Sequence, residues 1–308
     1  MHRMRRNDMI GFIGLGIMGK PMAKNLLKAG QALMVYDTNP EPVEELKEAG
    51  ACEGTLREMG QACGLVFTSL PNGSIVQSVL FGADGAASAM KAGAVVCDCS
   101  SVTPGESRYC WEKLHEHGIG FVDAPMSGGE PGAVAGTLAF MAGGEQKDFD
   151  AVKPYLEMMG SSACLVGGPG IGSVTKLANQ VIVNNTIAVV SEAFVLAVKA
   201  GADPVKVYEA IRGGLAGSAV LDAKIPMIVE RNFKPGGKIS INHKDMKNVI
   251  NTAHELDVPV PYSAQLFEIL QSLKIHGHME EDHGGIVQYF EALADVVVKK
   301  MEQEDSES

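Results

Sequence analysis

Short apolar runs alternate with segments of helical spacing through the first half of the chain. The apolar runs are Met9–Ile13, Ala32–Tyr36, Leu65–Ser69, Ala94–Cys99 and Gly120–Asp123. Between them, helical spacing of apolar residues is found in Pro21–Ala29, Pro42–Ala49, Ile75–Leu80 and Gly105–His117. This alternation of strands and helices predicts a parallel sheet with helices on both faces. Further strands at the far edge are predicted at Thr137–Gly143 and Ala163–Gly167.

After Gly172 the pattern predicts helices and almost no strand. Ser173–Ala200 contains neither proline nor glycine, which predicts one helix about 42 Å long. It is apolar nearly all round, so we expect it to be buried. Shorter helices are predicted at Pro204–Ile211, Ser218–Val229, Asp245–Glu255, Tyr262–Leu273 and Gly285–Met301. The predicted fold class is α/β: a Rossmann-like doubly wound domain at 1–172, then an all-α domain at 173–308 that begins with the long interdomain helix.

The formal net charge of −11 argues against a nucleic-acid partner, because binding to phosphates needs a basic face. The basic segment Met1–Asp8 lacks the apolar core of a signal peptide and is interpreted as a frayed leader. A solvated tail is predicted from the acidic residues Glu302, Glu304, Asp305 and Glu307.

Two features favour a cytoplasmic protein with no membrane partner. The longest apolar stretch, Val181–Val198, is interrupted by polar residues such as Asn184 and Glu192, which are costly in lipid. The six cysteines do not have the spacing of a disulfide framework, so we expect reduced thiols.

A glycine-rich turn follows the first predicted strand and opens the first predicted helix. Its residues are Gly14, Leu15, Gly16, Ile17, Met18 and Gly19. In dinucleotide-binding turns one glycine makes the turn, one admits the pyrophosphate and one lets the helix pack on the strand. Such glycines also occur in purely structural turns. The context favours dinucleotide binding, because Asp37 ends the second strand about 20 residues further on, where an acidic residue binds the ribose.

Asp37 also bears on the choice of cofactor. A carboxylate at this position accepts a hydrogen bond from a ribose 2′-hydroxyl and repels a 2′-phosphate. Thr38 and Asn39 follow, with no arginine to hold such a phosphate. The sequence therefore predicts NAD(H) as the preferred cofactor, with NADP(H) as the alternative.

Longer segments resemble the β-hydroxyacid dehydrogenase family, which includes 3-hydroxyisobutyrate dehydrogenase. In the family's order these segments are Phe12–Leu27, Leu70–Asn72, Asp123–Gly129, Gly172–Asn179 and His243–Asp245. The C-terminal half resembles the tartronate semialdehyde (2-hydroxy-3-oxopropanoate) reductase branch of this family in Lys176–Val183, Ala210–Ser218 and Arg231–Gly236. Two residues depart from the pattern: Met126 replaces the usual valine, and His243 stands where that branch tends to carry an apolar residue.

The resemblance implies a role for each residue of an active site in the cleft between the two domains. Lys176 is implied as the general acid and base, with Asn179 on the same helical face to orient the substrate oxygen. The backbone of Ser127, Gly128 and Gly129 is implied to bind the carboxylate of a small acid substrate. Further contacts with the cofactor are implied for Leu70, Pro71, Ser101 and Lys244.

Several alternatives stay open. The leading reaction interconverts tartronate semialdehyde and glycerate; the alternatives are another small 3-hydroxyacid, of the 3-hydroxyisobutyrate or 2-(hydroxymethyl)glutarate type, or a cofactor-binding protein without catalysis. Lys244 has the further interpretation of an ordinary surface ion pair. The polar segment His276–His283 has residues that bind metals, but no regular spacing, so we favour a solvated loop and predict no metal site. The apolar central helix predicts a homodimer or homotetramer.

Overall fold

The computed structural model describes residues 9–301, so the predicted leader and the predicted acidic tail lie outside the described residues. The chain divides into two compact units, with the division between Leu177 and Ala178. The first unit carries the sheet and the second is helical.

The strands of the first unit form one nine-stranded sheet within the described residues. They are β1 (Met9–Ile13), β2 (Ala32–Tyr36), β3 (Cys52–Glu53), β4 (Leu65–Thr68), β5 (Val95–Asp98), β6 (Gly120–Asp123), β7 (Met126–Ser127), β8 (Leu138–Gly144) and β9 (Gly160–Gly167). Their order is β3-β2-β1-β4-β5-β6-β8-β7, and β9 pairs with β8. Strands β1 to β6 pair in parallel, whereas β8 runs antiparallel to β6. This is the strand order of a Rossmann fold and confirms the predicted doubly wound domain.

The helices of the first unit connect these strands. They are α1 (Gly19–Lys28), α2 (Pro40–Glu48), α3 (Leu56–Ala62), α4 (Gly73–Phe81), α5 (Pro104–His115), α6 (Gly129–Ala135) and α7 (Gln146–Met159). Capping boxes at Thr55 and Thr103 begin α3 and α5. Every residue of β4 and β5 is buried, which explains why these strands appear in the sequence as continuous apolar runs.

The first unit contains elements that the sequence pattern did not predict. Helix α7 was missed because Pro154 lies inside it, and a proline normally ends a helix. Helix α6 was missed because Gly129 and Gly132 give it the composition of a loop.

The second unit is built from helices. Helix α8 (Ile171–Lys199) begins in the first unit and continues into the second, followed by α9 (Pro204–Ile211), α10 (Ala219–Val229), α11 (Ile239–Glu255), α12 (Pro261–Ile275) and α13 (Val287–Ala294). The core of the second unit includes the buried side chains of Phe194 and Ile228. The last helix is shorter than the predicted Gly285–Met301, because Asp295 takes a left-handed conformation with φ of 48° that ends it.

Helix α8 has an exposed apolar face. The prediction that this helix is buried on all sides is therefore wrong for a single copy of the chain. Ile182, Val189 and Leu196 recur every seventh residue and are 68%, 63% and 72% exposed. By length and composition α8 would be able to span a membrane, a property that core helices of soluble proteins share. Asn184 and Ser191 are fully buried in the chain on other faces of α8, and such polar groups are costly in lipid.

Candidate functional site

The three glycines of the turn after β1 differ in what they make room for. Gly14 has a φ of 92°, and a side chain there would overlap the backbone oxygen of Ser69. Gly19 opens α1, and a side chain there would overlap the carbonyl oxygen of Gly14. A Cβ atom at Gly16 would meet nothing within 4 Å. The chain itself therefore requires Gly14 and Gly19, whereas the absence of a side chain at Gly16 keeps the N-terminus of α1 open to a ligand.

A pocket of about 580 Å³ lies beside this turn, lined by Leu15, Gly16, Ile17, Asn39 and other residues. Its volume is that of a site for a small ligand. Backbone N–H groups at the start of a helix attract phosphate, because they have no partners within the helix and the helix dipole favours negative charge. The residues present thus fit the pyrophosphate of a dinucleotide.

Asp37 lies at the end of β2 and braces the glycine turn. Its Oδ2 accepts a hydrogen bond from the backbone N–H of Leu15 at 2.5 Å, and its Oδ1 accepts one from Asn39 at 2.8 Å. A second pocket, of about 320 Å³, is lined by Asp37 and by Glu53 and Glu58. Three carboxylates around one pocket make a poor environment for an additional phosphate group.

Leu70, Pro71 and Ser101 lie in the loops that follow β4 and β5, at the carboxyl edge of the sheet. Two residues that sequence reasoning missed join these loops. Ser100 Oγ accepts a hydrogen bond from the backbone N–H of Leu70 at 2.9 Å, and the N–H of Ser100 donates to Asp98 at 3.0 Å. Burial raises the pKa of Asp98 despite these hydrogen bonds. One feature of the sequence could have indicated these two residues: Asp98 ends the buried strand β5, and Ser100 follows that strand.

Lys176 lies near the start of α8, and the structure brings it to the Ser-Gly-Gly segment. Its Nζ donates a hydrogen bond to the backbone oxygen of Met126 at 2.8 Å. Ser127 follows Met126 directly, and Gly128 and Gly129 have φ angles of 135° and 62°, a conformation that favours glycine. A cationic amine and a glycine-rich backbone therefore meet within the first unit, as a site for a carboxylate and its neighbouring oxygen requires.

Asn179 and Lys244 belong to the second unit, where a chain of polar contacts connects them. Asn179 Nδ2 donates to Gln180 Oε1 at 2.9 Å, and Gln180 Nε2 donates to Asp245 Oδ2 at 2.6 Å. Lys244 Nζ lies 3.4 Å from Asp245 Oδ1. An ionised carboxylate only accepts hydrogen bonds, so Asp245 fixes the orientation of both amides and turns Asn179 Oδ1 away from Gln180. A site that combines residues of both units stays a prediction.

The polar segment His276–His283 is for the most part the predicted solvated loop, but one of its residues is buried. Asp282 is fully buried and accepts hydrogen bonds from the backbone N–H groups of Gly236, Gly237 and Gly284. Lys224 forms an ion pair with the same carboxylate. These bonds give Asp282 a structural role. Over residues 9–301, no group of three or more His, Cys, Asp or Glu residues is placed to hold a metal ion.

In comparison with known proteins, both units match NAD-binding families of dehydrogenases. Residues 9–168 match the family described as "NAD binding domain of 6-phosphogluconate dehydrogenase". Residues 170–290 match the family described as "NAD-binding of NADP-dependent 3-hydroxyisobutyrate dehydrogenase". The 2-hydroxy-3-oxopropionate reductase of Escherichia coli K12 is 40% identical over 92% of this chain and 98% of that protein. The 2-(hydroxymethyl)glutarate dehydrogenase of Eubacterium barkeri is 36% identical over 96% and 99%. The crystal structure of 3-hydroxyisobutyrate dehydrogenase from Salmonella typhimurium superposes with a TM-score of 0.83 at 27% identity, over 92% and 99% of the chains.

Proposed function

Because this chain belongs to the β-hydroxyacid dehydrogenase (3-hydroxyisobutyrate dehydrogenase-like) family and is an NAD(P)-binding oxidoreductase acting on CH–OH groups, we propose that it interconverts tartronate semialdehyde and glycerate. The observation that carries the proposal is the 2.8 Å hydrogen bond from Lys176 Nζ to Met126, beside Ser127. This contact supports the proposal because the lysine amine lies next to a backbone that suits a carboxylate. The substrate is supported by the similarity to 2-hydroxy-3-oxopropionate reductase.

The nicotinamide, when bound, supplies the hydride, and the residues of the chain bind the substrate and supply the proton. The backbone N–H groups around Ser127, Gly128 and Gly129 bind the substrate carboxylate. Lys176 stabilises the developing alkoxide and protonates it as a general acid. As the family resemblance implies, Asn179 donates its remaining amide N–H to the substrate oxygen, since Gln180 engages only one of its amide protons.

NADH is the cofactor that the surroundings of Asp37 favour. A dinucleotide with its pyrophosphate at Gly16 brings the adenosine ribose towards the end of β2. There the Asp37 carboxylate and the acidic residues Glu53 and Glu58 oppose a 2′-phosphate. Lys20 and Lys24, which line the neighbouring pocket, are both paired with Glu45, so one of their two positive charges is compensated.

Steady-state rates with three semialdehydes and both reduced cofactors test this proposal. We expect the highest kcat/KM with tartronate semialdehyde and NADH, above the values with methylmalonate semialdehyde, succinic semialdehyde and NADPH. Faster turnover with another semialdehyde would keep the mechanism and reject the substrate. Measurable NADH binding without turnover of any of the three would favour the non-catalytic alternative.

We also propose that the enzyme is a homodimer or homotetramer that covers the apolar face of α8 with a second copy of the chain. This face, defined by Ile182, Val189 and Leu196, runs along one side of the helix. In the described part of the first unit no large apolar side chain is more exposed than Val134, at 58%. Exposed apolar surface is therefore concentrated in the second unit, as expected where an interface lies.

Light scattering after size-exclusion chromatography tests the assembly. The wild type is expected to have two or four times the chain mass, and Val189→Glu is expected to lower that mass by placing a charge in the interface. Val166→Glu is the matched control, because Val166 is an exposed valine on β9 of the first unit. A monomeric wild type, or a wild type soluble only with detergent, would contradict the proposal.

A further inference from the structure

The side chain of Asp123 is a carboxylate enclosed at the end of β6. Only 1% of the residue is exposed. Its Oδ1 accepts a hydrogen bond from the backbone N–H of Gly170 at 2.8 Å, and its Oδ2 accepts one from that of Ser173 at 2.7 Å. Gly170 directly precedes α8, and Ser173 lies in its first turn. A strand residue about 50 positions earlier in the chain therefore caps the helix that carries Lys176.

Capping from a strand has a different consequence from capping by a neighbouring residue. The first N–H groups of any helix lack partners within the helix, and a negative charge near them is favourable. A local cap satisfies these groups but leaves the helix free to move as a body. Asp123 satisfies two of them from the sheet, so the first turn of α8 is tied to the end of β6.

Glycines make this connection tight. A Cβ atom at Gly172 would overlap the backbone oxygens of Asp123 and Met141. A Cβ atom at Gly143 would lie 2.7 Å from Asp123 Oδ1 and 2.5 Å from the nitrogen of Gly172. Strands β6 and β8 thus touch the backbone of the first turn of α8. Interiors packed this closely resist small displacements, so this turn is held in place.

The segment that begins with Asp123 is also the segment that contacts Lys176. Met126, three residues after Asp123, accepts the hydrogen bond from Lys176 Nζ, and Lys176 lies three residues after Ser173. The two segments are therefore joined at two points. On this basis, which rests on the proposed role of Lys176 as proton donor, we propose that Asp123 is a positioning residue that holds the Lys176 amine beside Ser127.

Two observations separate Asp123 from an ordinary buried polar residue. Burial raises the pKa of Asp123 to about 7, although the N–H groups of Gly170 and Ser173 oppose the shift, so the ionised form of this carboxyl group is costly here. Asp98 occupies the corresponding end of β5 but accepts hydrogen bonds from Thr68 and Ser100, neither of which lies on α8. Of these two buried carboxylates, Asp123 is the one that is bonded to α8.

Asp123→Asn tests the proposal with little change in volume. The amide replaces one acceptor by a donor and so places an NH₂ group against a backbone N–H. We expect kcat for semialdehyde reduction to fall at least tenfold, with the Kd of NADH within about twofold of wild type. The primary isotope effect with deuterated NADH is expected to rise, because a misplaced proton donor slows the chemical step.

A second readout does not depend on activity. Acetic anhydride is expected to acetylate Lys176 several times faster in Asp123→Asn than in the wild type. Peptide mass spectrometry measures this rate relative to that of Lys199 on the same helix. Asp148→Asn is the matched control, since Asp148 is also buried and packs against Gly120 at the other end of β6. We expect this control to keep the wild-type kcat and the wild-type acetylation rate of Lys176.

A double substitution separates positioning from other effects. If Asp123 acts through Lys176, adding Asp123→Asn to Lys176→Ala lowers the residual kcat by less than twofold, since coupled residues are non-additive. Each of three results would overturn the proposal: a wild-type kcat in Asp123→Asn, a full additional loss of kcat in the double variant, or an unchanged acetylation rate of Lys176 in Asp123→Asn. If the wild type reduces no semialdehyde, the proposed function fails, and the acetylation rates still decide whether Asp123 holds Lys176.

Discussion

Lys176→Ala is expected to lower kcat for semialdehyde reduction by about 10² to 10⁴-fold, the range for loss of a positioned general acid. The alkoxide that forms on hydride transfer then lacks both its proposed proton donor and the positive charge of the lysine. Binding of NADH, which we propose to depend on the turn at Gly16, is expected to stay within a few-fold of wild type. Rapid-mixing measurement of NADH oxidation with tartronate semialdehyde, alongside fluorescence titration of NADH, gives both values.

Two controls define what the loss of Lys176 means. Lys199→Ala removes an exposed lysine from the end of the same helix and is expected to leave kcat unchanged. Lys176→Arg retains the positive charge but gives up the proton poorly, so it is expected to restore substrate binding more than kcat. A loss below about threefold in Lys176→Ala would show that another group supplies the proton.

The sheet was largely predictable from the sequence because most of its strands are buried. The predicted bounds of β1, β2 and β6 agree with the structure, and β4 and β5 differ at their ends. Strands covered on both faces need apolar residues at every position, and such runs are visible without knowledge of the fold.

The candidate site was predictable only in part, since its geometry depends on contacts between distant residues. The glycine turn and Asp37 are recognisable because their spacing is local. The hydrogen bond from Lys176 to Met126 joins residues 50 positions apart, and no periodic pattern reports it. Asp123 is recognisable in the sequence as the end of a predicted strand and as part of a family segment, but its role depends on where α8 begins.

The orientation of Asn179 also depends on residues that motif analysis does not connect. The Gln180 side chain reaches Asp245, which is buried, and accepts the hydrogen bond from Asn179 with its oxygen. In this chain the orientation of the Asn179 amide therefore depends on Gln180 and Asp245.

Gly16→Val is expected to weaken NADH binding about 100-fold, or about 2.7 kcal/mol, without a loss of folding stability. The structure offers room for the new side chain, since a Cβ atom at Gly16 meets nothing within 4 Å, and the φ angle of Gly16 is not positive. In the complex the valine occupies the space in which the pyrophosphate approaches the start of α1. Isothermal titration with NADH and thermal unfolding without ligand measure the two effects separately.

Gly19→Val is the matched control, and it is expected to show the opposite pattern. Its Cβ atom overlaps the carbonyl oxygen of Gly14 with no ligand present, so overpacking costs at least about 1–3 kcal/mol of folding stability. Equal losses of stability in the two variants would mean that Gly16 serves the fold. Unchanged NADH affinity in a folded Gly16→Val would mean that the dinucleotide does not approach this turn.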